Sequence, residues 1–320
     1  MCILPSGRAG VFGSAGRVDL KAGVVSTPIT HGPPHDGVAH QGRHGPLQVG
    51  ESVLLIDHKS RRYLQTLTPH QEFHSHAGPL EHDRLIGAEP GSTHRTTKGL
   101  TFTVFRPTLS DLVFKMPRGA QVIYPKDLGP ILMLADIAPG VDVLESGVGS
   151  GALSAAMLRA GANVTGYELR DDFARRAQLN VARSVGPEAA ARYTVQLRDV
   201  YEGIDLPAGG GFDRVVLDLP EPWQVVPHLR GALRPGGIVL AYTPSIMQAS
   251  QFREALGEAG LVMAETLEVL HRTWKVDGAA VRPDHRMVAH TAFLTHARMP
   301  STAERTLPPP ATEALDKSAG

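Results

Sequence analysis

The segment Val141-Asp-Val-Leu-Glu-Ser-Gly-Val-Gly-Ser-Gly-Ala-Leu-Ser154 decides the fold of this chain. A β-branched run ending at Glu145 predicts a strand, and the stretch from about Ala152 to Ala160 predicts a helix that Gly161 ends. Between strand and helix lie three glycines, which allow positive φ and the close approach of a bound molecule: Gly147, Gly149 and Gly151. The pattern predicts a strand–loop–helix unit that binds a ligand. A G-x-G pair alone suits NAD-binding units equally well.

Strands and helices continue to alternate after Gly119, as a parallel sheet requires. Val164–Glu168 predicts a second strand, and Glu168 at its end is placed to accept the ribose hydroxyl protons of a nucleoside ligand, NAD or S-adenosylmethionine (SAM). An exposed strand-end acid without function is the alternative for this residue. A helix from about Asp171 to Arg183 then brings Phe173 beside that acid.

Two further strands and a turn complete the predicted sheet. Tyr193–Leu197 predicts the third strand, and Asp199 after it could accept the 6-amino hydrogen of an adenine. Asp213–Asp218 predicts the fourth strand. Leu233-Arg-Pro-Gly-Gly237 predicts a turn that leads into a fifth strand, Ile238–Tyr242. Such a turn before strand five is typical of SAM-dependent methyltransferases and uncommon in dehydrogenases, and with the acid-plus-glycine segment it favours SAM over NAD.

Asp218-Leu-Pro-Glu-Pro-Trp223 follows the fourth strand and should lie at the carboxyl edge of the sheet, where ligands bind in α/β folds. Its prolines stiffen the loop, Asp218 offers an acceptor, and Trp223 is able to pack or stack. A purely structural loop is the alternative. The position and the acid favour a functional one.

The region from 46 to 118 is organised differently. Ser52–Ile56 and Arg62–Leu67 predict a β-hairpin, and Leu100–Phe105 alternates apolar and polar residues as a half-buried strand does. We expect a small all-β domain, a barrel or a sandwich. Its histidines favour hydrogen-bonded structural roles over a metal site: His70, His74, His76 and His82.

Composition sets the outer limits. The chain has 320 residues and 42% hydrophobic content, enough for one large domain and a small one. No apolar run approaches the roughly 18 residues of a membrane span. No charged region followed by an apolar run begins the sequence, so we expect no signal peptide and a cytoplasmic protein. Cys2 is the single cysteine, which excludes a disulfide framework and a cysteine-based zinc site. Residues 1–45 and 299–320 are predicted to be disordered tails.

Charge is balanced overall but not locally. Lys and Arg number 32, as do Asp and Glu, which argues against binding nucleic acid through bulk charge alone. Residues 119–267 hold 12 basic and 17 acidic side chains, whereas 46–118 hold 9 and 7, and 268–298 hold 5 and 3. If RNA binds, the flanking segments are better placed than the glycine-loop domain to contact its phosphates.

Taken together, these segments resemble the bacterial tRNA (adenine-N1)-methyltransferases that modify adenine-58 in the T-loop. The resemblance runs from about Pro46 to Arg298. It rests on the glycine segment, on Tyr167–Phe173, on Asp218–Trp223 and on several shorter stretches: Arg118–Asp127 with its Tyr-Pro-Lys-Asp end, Arg272–Trp274, Val281–Pro283, His290–Leu294, and Phe73–His76 with Gly78 and His82-Asp83.

The resemblance implies a class I SAM-dependent methyltransferase (Rossmann-like) domain over 119–298, preceded by the small all-β domain over 46–118, which contacts tRNA. It also implies a homotetramer. The residues that it assigns to SAM are Val148, Gly149, Ser150, Gly151, Glu168, Phe173, Asp199 and Asp218. Asp218 would act at the target base, and Tyr124 and Tyr242 would line its pocket.

The reaction itself narrows the role of Asp218. Adenine N1 already carries a lone pair, so no proton has to leave before attack, and the product is cationic. A carboxylate there would orient the base and favour the developing charge without acting as a general base. Two alternatives stay open: a methyltransferase of this fold acting on a protein carboxylate or a small molecule, and a non-catalytic tRNA-binding subunit.

Overall fold

A computed structural model describes residues 44–116 and 121–301. The two predicted tails lie outside these ranges, except for residues 44–45 of the first and 299–301 of the second. In the second tail Met299 is buried, and its backbone N–H donates to the carbonyl of Gly237, so this residue is part of the fold. None of the helices in the described ranges combines the length and apolar character that a membrane crossing requires.

Six short strands build the amino-terminal region: β1 (Ser52–Asp57), β2 (Arg62–Thr66), β3 (Glu72–Ser75), β4 (Gly78–Glu81), β5 (Thr93–Arg95) and β6 (Thr101–Phe105). The predicted hairpin is present, with Leu54 of β1 opposite Leu64 of β2. The Asp57 carboxylate stabilises its turn by accepting the backbone N–H groups of Lys59 and Arg61, each at 2.9 Å.

An antiparallel sheet in the order β2-β1-β6-β5 forms this region, and β3 and β4 make a separate hairpin. The hairpin packs on the sheet through Phe73, whose ring lies 5.4 Å from that of Phe102 and 5.2 Å from that of Tyr63. The described sheet is open, so the barrel alternative is wrong, and its apolar face is covered by the hairpin and the loops.

The larger region contains a seven-stranded sheet and two remaining strands. Its strands are β7 (Asp142–Ser146), β8 (Asn163–Glu168), β9 (Tyr193–Leu197), β10 (Phe212–Leu217), β11 (Leu233–Thr243), β12 (Val262–Glu268), β13 (Trp274–Asp277), β14 (Ala280–Pro283) and β15 (Phe293–Arg298). The sheet order is β12-β15-β11-β10-β7-β8-β9. The five adjacent strands β11, β10, β7, β8 and β9 are parallel to one another, and β15 is antiparallel to both of its neighbours, β11 and β12. β13 and β14 form a separate hairpin.

Helices join these strands and cover both faces: α1 (Leu109–Lys115), α2 (Pro125–Leu134), α3 (Ala152–Arg159), α4 (Asp171–Val185), α5 (Pro187–Ala190), α6 (Val226–Ala232) and α7 (Ile246–Glu258). Because neighbouring strand residues point to opposite faces, Val143 and Leu144 enter two different apolar cores. This parallel sheet with helices on both faces confirms the predicted Rossmann-like architecture. Helix α3 ends one residue earlier than predicted, with Gly161 after it at φ 98°.

One local prediction is wrong. Residues Leu233–Gly237 belong to β11 and do not form a separate turn before it. The pairing of β10 with β11 shifts between Phe212 and Arg214, so the Pro-Gly-Gly residues bulge out of register within one long strand. Gly236 takes φ 80°, and its N–H donates to the carbonyl of Met299 at 2.7 Å, which anchors the bulge to the end of β15.

Candidate active site

The site begins where β7 and β10 end side by side. The loop after β7 leads into α3, and the chain after β10 turns the opposite way, so a crevice opens between these two neighbouring strands. Gly147, at φ 86°, passes so close to β10 that a Cβ there would lie 2.1 Å from the carbonyl oxygen of Asp218. The Asp218 N–H donates to the Ser146 carbonyl at 2.9 Å. These contacts hold the glycine loop and Asp218 together.

Glu168 at the end of β8 is bound to the glycine loop, as its predicted position requires. One carboxylate oxygen accepts the N–H of Gly149 at 3.2 Å, and the other accepts the N–H of Arg170 at 3.1 Å. The far side of the loop is fixed by the Asn180 side chain, which donates to the Ser150 carbonyl at 2.9 Å. Gly151 caps α3 at φ 81°.

The other residues assigned to the adenosine end lie on the following elements. Phe173 in α4 is buried, and the Arg170 guanidinium lies over its ring, 3.7 Å from the centroid. The carboxylate of Asp199 accepts the N–H of Tyr201 at 2.9 Å and so caps a short 3₁₀ turn after β9. Glu168, Phe173 and Asp199 therefore follow the carboxyl ends of neighbouring strands, on the β8–β9 side of the glycine loop.

A small cavity lies between the glycine loop and Asp218. Its other walls are residues 121–123 before α2 and the first turn of α3, and the acid Glu145 reaches it from below. Asp218 is partly exposed, and no side-chain hydrogen bond to its carboxylate occurs among residues 44–116 and 121–301. Burial within the crevice raises the pKa of Asp218 to about 7.

Glu145, the acid that precedes the glycines, is a site residue to which the sequence reasoning gave no role. Its side chain is buried, and it accepts a hydrogen bond of 2.5 Å from the Ser154 hydroxyl, which also contacts the Tyr193 hydroxyl at 3.0 Å. Burial, together with a smaller contribution from the charge of Asp218, raises the pKa of Glu145 to about 8. The crevice thus holds two carboxyl groups that are costly to ionise without a cation beside them. The sequence signal that could have indicated Glu145 as a site residue is its position, two residues before the first glycine of the loop.

Tyr124 and Tyr242 are far apart in the sequence, but Tyr242 lies within electrostatic range of both Tyr124 and Asp218. Tyr124 is the residue before Pro125, at the start of α2. Tyr242 is nearly the last residue of β11 and is 7% exposed. Burial raises the pKa of the Tyr242 phenol, and the charges of Asp127 and Asp218 and the phenol of Tyr124 act in the same direction. The structure therefore brings both predicted pocket tyrosines into one neighbourhood.

A buried ion pair supports this wall of the site and was not predicted. Lys126 and Asp127, at the start of α2, are in contact at 2.7 Å with side chains 3% and 0% exposed. The Lys126 ammonium also donates to the Val269 carbonyl at 2.7 Å and to the Thr291 hydroxyl at 2.6 Å. The pair joins α2 to the segments around β12 and β15.

The histidines of the amino-terminal region have structural contacts. His82 is buried, and its Nδ1 accepts the N–H of Thr68 at 3.2 Å, while His70 contacts Asp83 at 3.2 Å. In the described ranges no group of three or more histidine, cysteine or acidic side chains is arranged to hold a metal ion.

Comparison with known proteins identifies relatives of both regions. Residues 102–282 match the family described as the tRNA methyltransferase complex GCD14 subunit, and residues 45–93 match the TrmI-like N-terminal family. The tRNA (adenine(58)-N(1))-methyltransferase TrmI of Thermus thermophilus is 35% identical over 249 residues, 77% of this chain and 96% of its own length. A Methanocaldococcus jannaschii TrmI that acts on adenines 57 and 58 is 32% identical, over 77% of this chain and 94% of its own.

Two solved structures have a similar fold. A SAM-dependent O-methyltransferase from Thermotoga maritima superposes with a TM-score of 0.75 at 31% identity and covers 81% of this chain and 98% of its own. The tRNA methyltransferase TrmI from Aquifex aeolicus superposes with a TM-score of 0.70 at 29% identity, over 81% of this chain and 100% of its own.

Proposed function

The chain belongs to the tRNA (adenine-58-N1)-methyltransferase family, and from this membership we propose how its own residues perform the reaction. It transfers the methyl group of SAM to N1 of adenine-58 in tRNA. The observation that carries the assignment of roles is the contact between the glycine loop and Asp218, whose carboxylate has no hydrogen-bond partner among the described residues.

The residues of the crevice fit SAM. In the loop Val148–Gly151 the Gly151 N–H already donates to the Val148 carbonyl, and the Gly149 N–H donates to Glu168. The N–H groups of Val148 and Ser150 would therefore face the ligand first, at the start of α3. Glu168 would exchange its Gly149 contact for the ribose hydroxyls, and Asp199 would accept the adenine amino group. Phe173 would pack against the adenine, with Arg170 displaced from its ring. The bound cofactor supplies a methyl group on a positively charged sulfur, and the protein's task is to position the base against it.

Asp218 would act on the target base in two ways. Its carboxylate accepts a hydrogen from the 6-amino group and thereby orients N1 toward the methyl group. The same negative charge favours the cationic adenine as it forms. Because N1 carries no proton at neutral pH, Asp218 does not act as a general base.

Tyr124 and Tyr242 would hold the adenine once it leaves the RNA stack. Moving a base out of its stack costs a few kcal/mol, and aromatic stacking offsets about 1–3 kcal/mol of this for each base. Tyr242 is fixed by burial, whereas Tyr124 is partly exposed and contacts Phe114, with ring centroids 6.1 Å apart.

The two alternatives are less well supported. A non-catalytic tRNA-binding subunit has no need for an intact glycine loop packed against Asp218. A protein carboxylate as the methyl acceptor is disfavoured because Asp218 and Glu145 would place negative charge around a negative substrate.

We further infer that the enzyme is a homotetramer located in the cytoplasm. The hairpin β13–β14 supports assembly, because its exposed face carries apolar residues that a separate subunit would leave in water: Trp274 at 58%, Val276 at 72% and Val281 at 59% exposed. The amino-terminal sheet and the segment 268–298 would contact tRNA phosphates.

Nucleoside analysis tests the function directly. A tRNA transcript is incubated with the protein and SAM, digested and examined by mass spectrometry for N1-methyladenosine, with the position mapped by primer extension. We expect N1-methyladenosine at position 58 and none in a transcript that carries guanosine there. A folded protein that binds SAM but leaves this transcript unmodified contradicts the proposal.

A further inference from the structure

The Asp218 carboxylate takes its direction from its own backbone. Among the described residues no donor forms a hydrogen bond with its oxygens, so no neighbouring side chain orients it. Residues 218–221 also lie between β10 and a short 3₁₀ turn, and they belong to no helix or strand. The position of this carboxylate therefore depends on whatever holds the backbone of residues 218–221.

Two side chains from separate elements hold this backbone, in addition to the bond from the Asp218 N–H to the loop after β7. The Pro220 carbonyl accepts a hydrogen bond of 2.7 Å from the side-chain amide of Gln248, in the first turn of α7. The Glu221 N–H donates to the hydroxyl of Tyr201 at 3.2 Å, in the 3₁₀ turn after β9. Three of four consecutive residues are thus bonded to three different parts of the domain.

The proline in this segment transmits both contacts to the carboxylate. Proline fixes its own φ at about −65° and restricts the residue before it to extended conformations. Pro220 therefore limits Leu219 as well as itself, and few free dihedral angles remain between Asp218 and Glu221. A displacement of the Pro220 carbonyl or the Glu221 N–H has to turn the Asp218 side chain.

Both supporting side chains are themselves held in place. The ring of Tyr201 packs against the apolar core, and its backbone carbonyl accepts a hydrogen bond of 2.8 Å from the ring of His228 in α6. The side-chain oxygen of Gln248 accepts the Ser245 N–H at 3.1 Å, which leaves its NH₂ group to face Pro220. Each support is therefore a fixed point from which the loop can be positioned.

We propose that Tyr201 and Gln248 are positioning residues that set the direction of the Asp218 carboxylate toward the target base. This rests on the proposed function, in which Asp218 contacts adenine-58. A misplacement of about 1 Å can cost about a hundredfold in rate, so loss of either support lowers the rate of methyl transfer. The bond from the Tyr201 N–H to Asp199 is made by the backbone, so a change of the Tyr201 side chain keeps it and should keep SAM binding.

The variants Y201F and Q248M test the inference. Y201F keeps the ring in the core and removes the acceptor for the Glu221 N–H, whereas Q248M has a side chain of similar length and loses the donor to Pro220. Single-turnover methylation of tRNA is measured at saturating SAM. We expect the rate constant to fall about tenfold in each variant, while the dissociation constants of SAM and tRNA change by less than about threefold.

An Asp218→Ala background shows whether the effect passes through the carboxylate. In that background there is no carboxylate left to orient, so adding Y201F or Q248M should lower the rate no further. Two residues that act independently would instead give effects that multiply in the double variants. The comparison thus separates positioning of Asp218 from general damage to the fold.

Two matched controls remove similar bonds that do not hold the loop. In Y167F a phenol that accepts the Asp205 N–H at 3.0 Å is lost, which is the same kind of bond as in Y201F. S245A removes the hydroxyl that accepts the Met247 N–H at 3.2 Å, and so weakens the cap of α7 without touching Pro220. Both variants should methylate tRNA at the rate of the unchanged enzyme.

The outcomes are distinguishable. An unchanged enzyme that does not methylate adenosine-58 contradicts the proposed function. If the unchanged enzyme methylates adenosine-58 and either Y201F or Q248M does so at the same rate, the positioning role is wrong. A fall that persists undiminished in the Asp218→Ala background, or one that is matched by an equal loss of SAM affinity, shows that these residues do not act through Asp218 and also overturns the inference.

Discussion

Glu145 and Asp218 are two carboxyl groups in one crevice, and each has a pKa raised by burial, to about 8 and about 7. The described side chains around them include hydroxyl groups but no salt-bridged cation for either. Such a pair suits a ligand that brings its own positive charge, because that charge favours the ionised carboxylates. SAM has this property, with its sulfonium and its ammonium group. The raised pKa values thus agree with the SAM site.

The pH dependence of stability follows from Glu145 and forms the first prediction. The folded pKa of about 8 lies above the ordinary value of 4.5, so the folded protein holds a proton that the unfolded chain releases. This contribution is fully present below about pH 4.5 and is lost as the pH rises through about 8. Without SAM, the melting temperature should fall over this range, and Glu145→Gln should reduce the fall.

An exposed acid on α7, Glu254, provides the control, because Glu254→Gln removes a carboxylate that is not buried. Its melting curve should follow that of the unchanged protein at every pH. If Glu145→Gln melts in parallel with the unchanged protein from pH 5 to pH 8.5, Glu145 is ionised in the ligand-free fold and its pKa is not raised.

The second prediction concerns the charge of Asp218. Asp218→Asn keeps a hydrogen-bond acceptor and removes the negative charge, and loss of one preorganised group costs about a hundred- to a thousandfold in rate. Single-turnover methylation should fall by this factor while SAM binding, measured by calorimetry, is largely kept. The rate of the unchanged enzyme should rise with pH as Asp218 becomes charged, and the rate of the variant should not. Because bound SAM favours the charged form, this rise should lie below the pH of about 7 at which Asp218 ionises in the ligand-free crevice. A near-normal rate in Asp218→Asn leaves Asp218 a positioning role only.

The position of a site residue was predictable where the residue follows directly from the order of strand, loop and helix along the sequence. Glu168 and the glycines meet because adjacent parallel strands end at one edge. The Lys126–Asp127–Thr291 cluster was not predictable, because Thr291 is 164 positions from Asp127 and only the antiparallel strand β15 brings it back. Residue types alone do not reveal a contact that depends on the pairing of the last strand.

At the scale of elements, the glycine loop is determined by its contact with the next strand. Of two glycines at similar φ, Gly147 at 86° would place a Cβ 2.1 Å from the Asp218 carbonyl, whereas Gly140 at 82° has nothing within 4 Å. At both positions the positive φ disfavours any residue with a Cβ, at a conformational cost of about 1–2 kcal/mol. Only Gly147 adds a collision with the wall of the crevice.

The third prediction uses this difference. Gly147→Ala should separate the loop from β10 and weaken SAM binding by at least about tenfold, because the backbone groups that receive the ligand move. Gly140→Ala should lose a similar amount of conformational stability and bind SAM normally. Calorimetric titration of the two folded variants checks this. Equal SAM affinities would show that the close approach of Gly147 does not shape the site.

Elements whose pattern is local were predicted well, and those set by neighbouring strands were not. The strands β7 and β8 lie close to their predicted bounds because apolar runs between turns determine them. The Pro-Gly-Gly segment was expected to form a turn, but the carbonyl of Met299 captures the Gly236 N–H and keeps the segment in β11. The hairpin β13–β14 was not predicted, since its residues pack on no described core.

At the scale of the whole molecule, that hairpin has two unlike faces. Trp274 lies opposite Pro283, and Val276 opposite Val281, so these four residues share one face. Lys275 and Arg282 lie opposite each other on the other face. One face is therefore apolar and one basic, which suits a hairpin that contacts another subunit on one side and solvent or RNA phosphate on the other.

The fourth prediction tests assembly through the apolar face. The double variant Trp274→Ser, Val276→Ser should dissociate the proposed tetramer, because burial of each large apolar side chain contributes about 1.5–3 kcal/mol. The double variant Lys275→Ser, Arg282→Ser changes the same hairpin on its other face and should stay tetrameric. Analytical ultracentrifugation gives the masses. A monomeric unchanged protein rejects the tetramer, and a tetrameric Trp274→Ser, Val276→Ser variant rejects this face as its contact.

The distribution of basic side chains over the described residues suggests a candidate surface for tRNA. In the amino-terminal sheet Arg61, Arg62 and Arg106 form ion pairs with Asp57, Asp111 and Glu51. Arg84 and Arg95 lie next to each other, because the Arg84 guanidinium donates to the Arg95 carbonyl at 3.0 Å. By contrast with the three arginines above, neither forms an ion pair among residues 44–116 and 121–301. Lys98 lies on the turn that follows. We call Arg84, Arg95 and Lys98 the β5 basic cluster.

The fifth prediction is that the β5 basic cluster binds tRNA phosphates. Each phosphate contact releases counterions, so the logarithm of the affinity falls with the logarithm of salt concentration by about 0.7–0.9 per contact. The triple variant Arg84→Gln, Arg95→Gln, Lys98→Gln should weaken tRNA binding and reduce this slope by about 2, with SAM binding unchanged.

The control for this variant is Arg253→Gln, which removes an exposed cation from α7 in the more acidic region. It should leave the slope as it is, because the net charge of the protein has little effect compared with charges that contact phosphate. Filter binding from 50 to 300 mM KCl, with SAM affinity determined in parallel, measures both variants. If the triple variant keeps the full salt slope, the amino-terminal sheet does not hold the RNA through this cluster. The basic side chains of 268–298 would then have to supply the contacts.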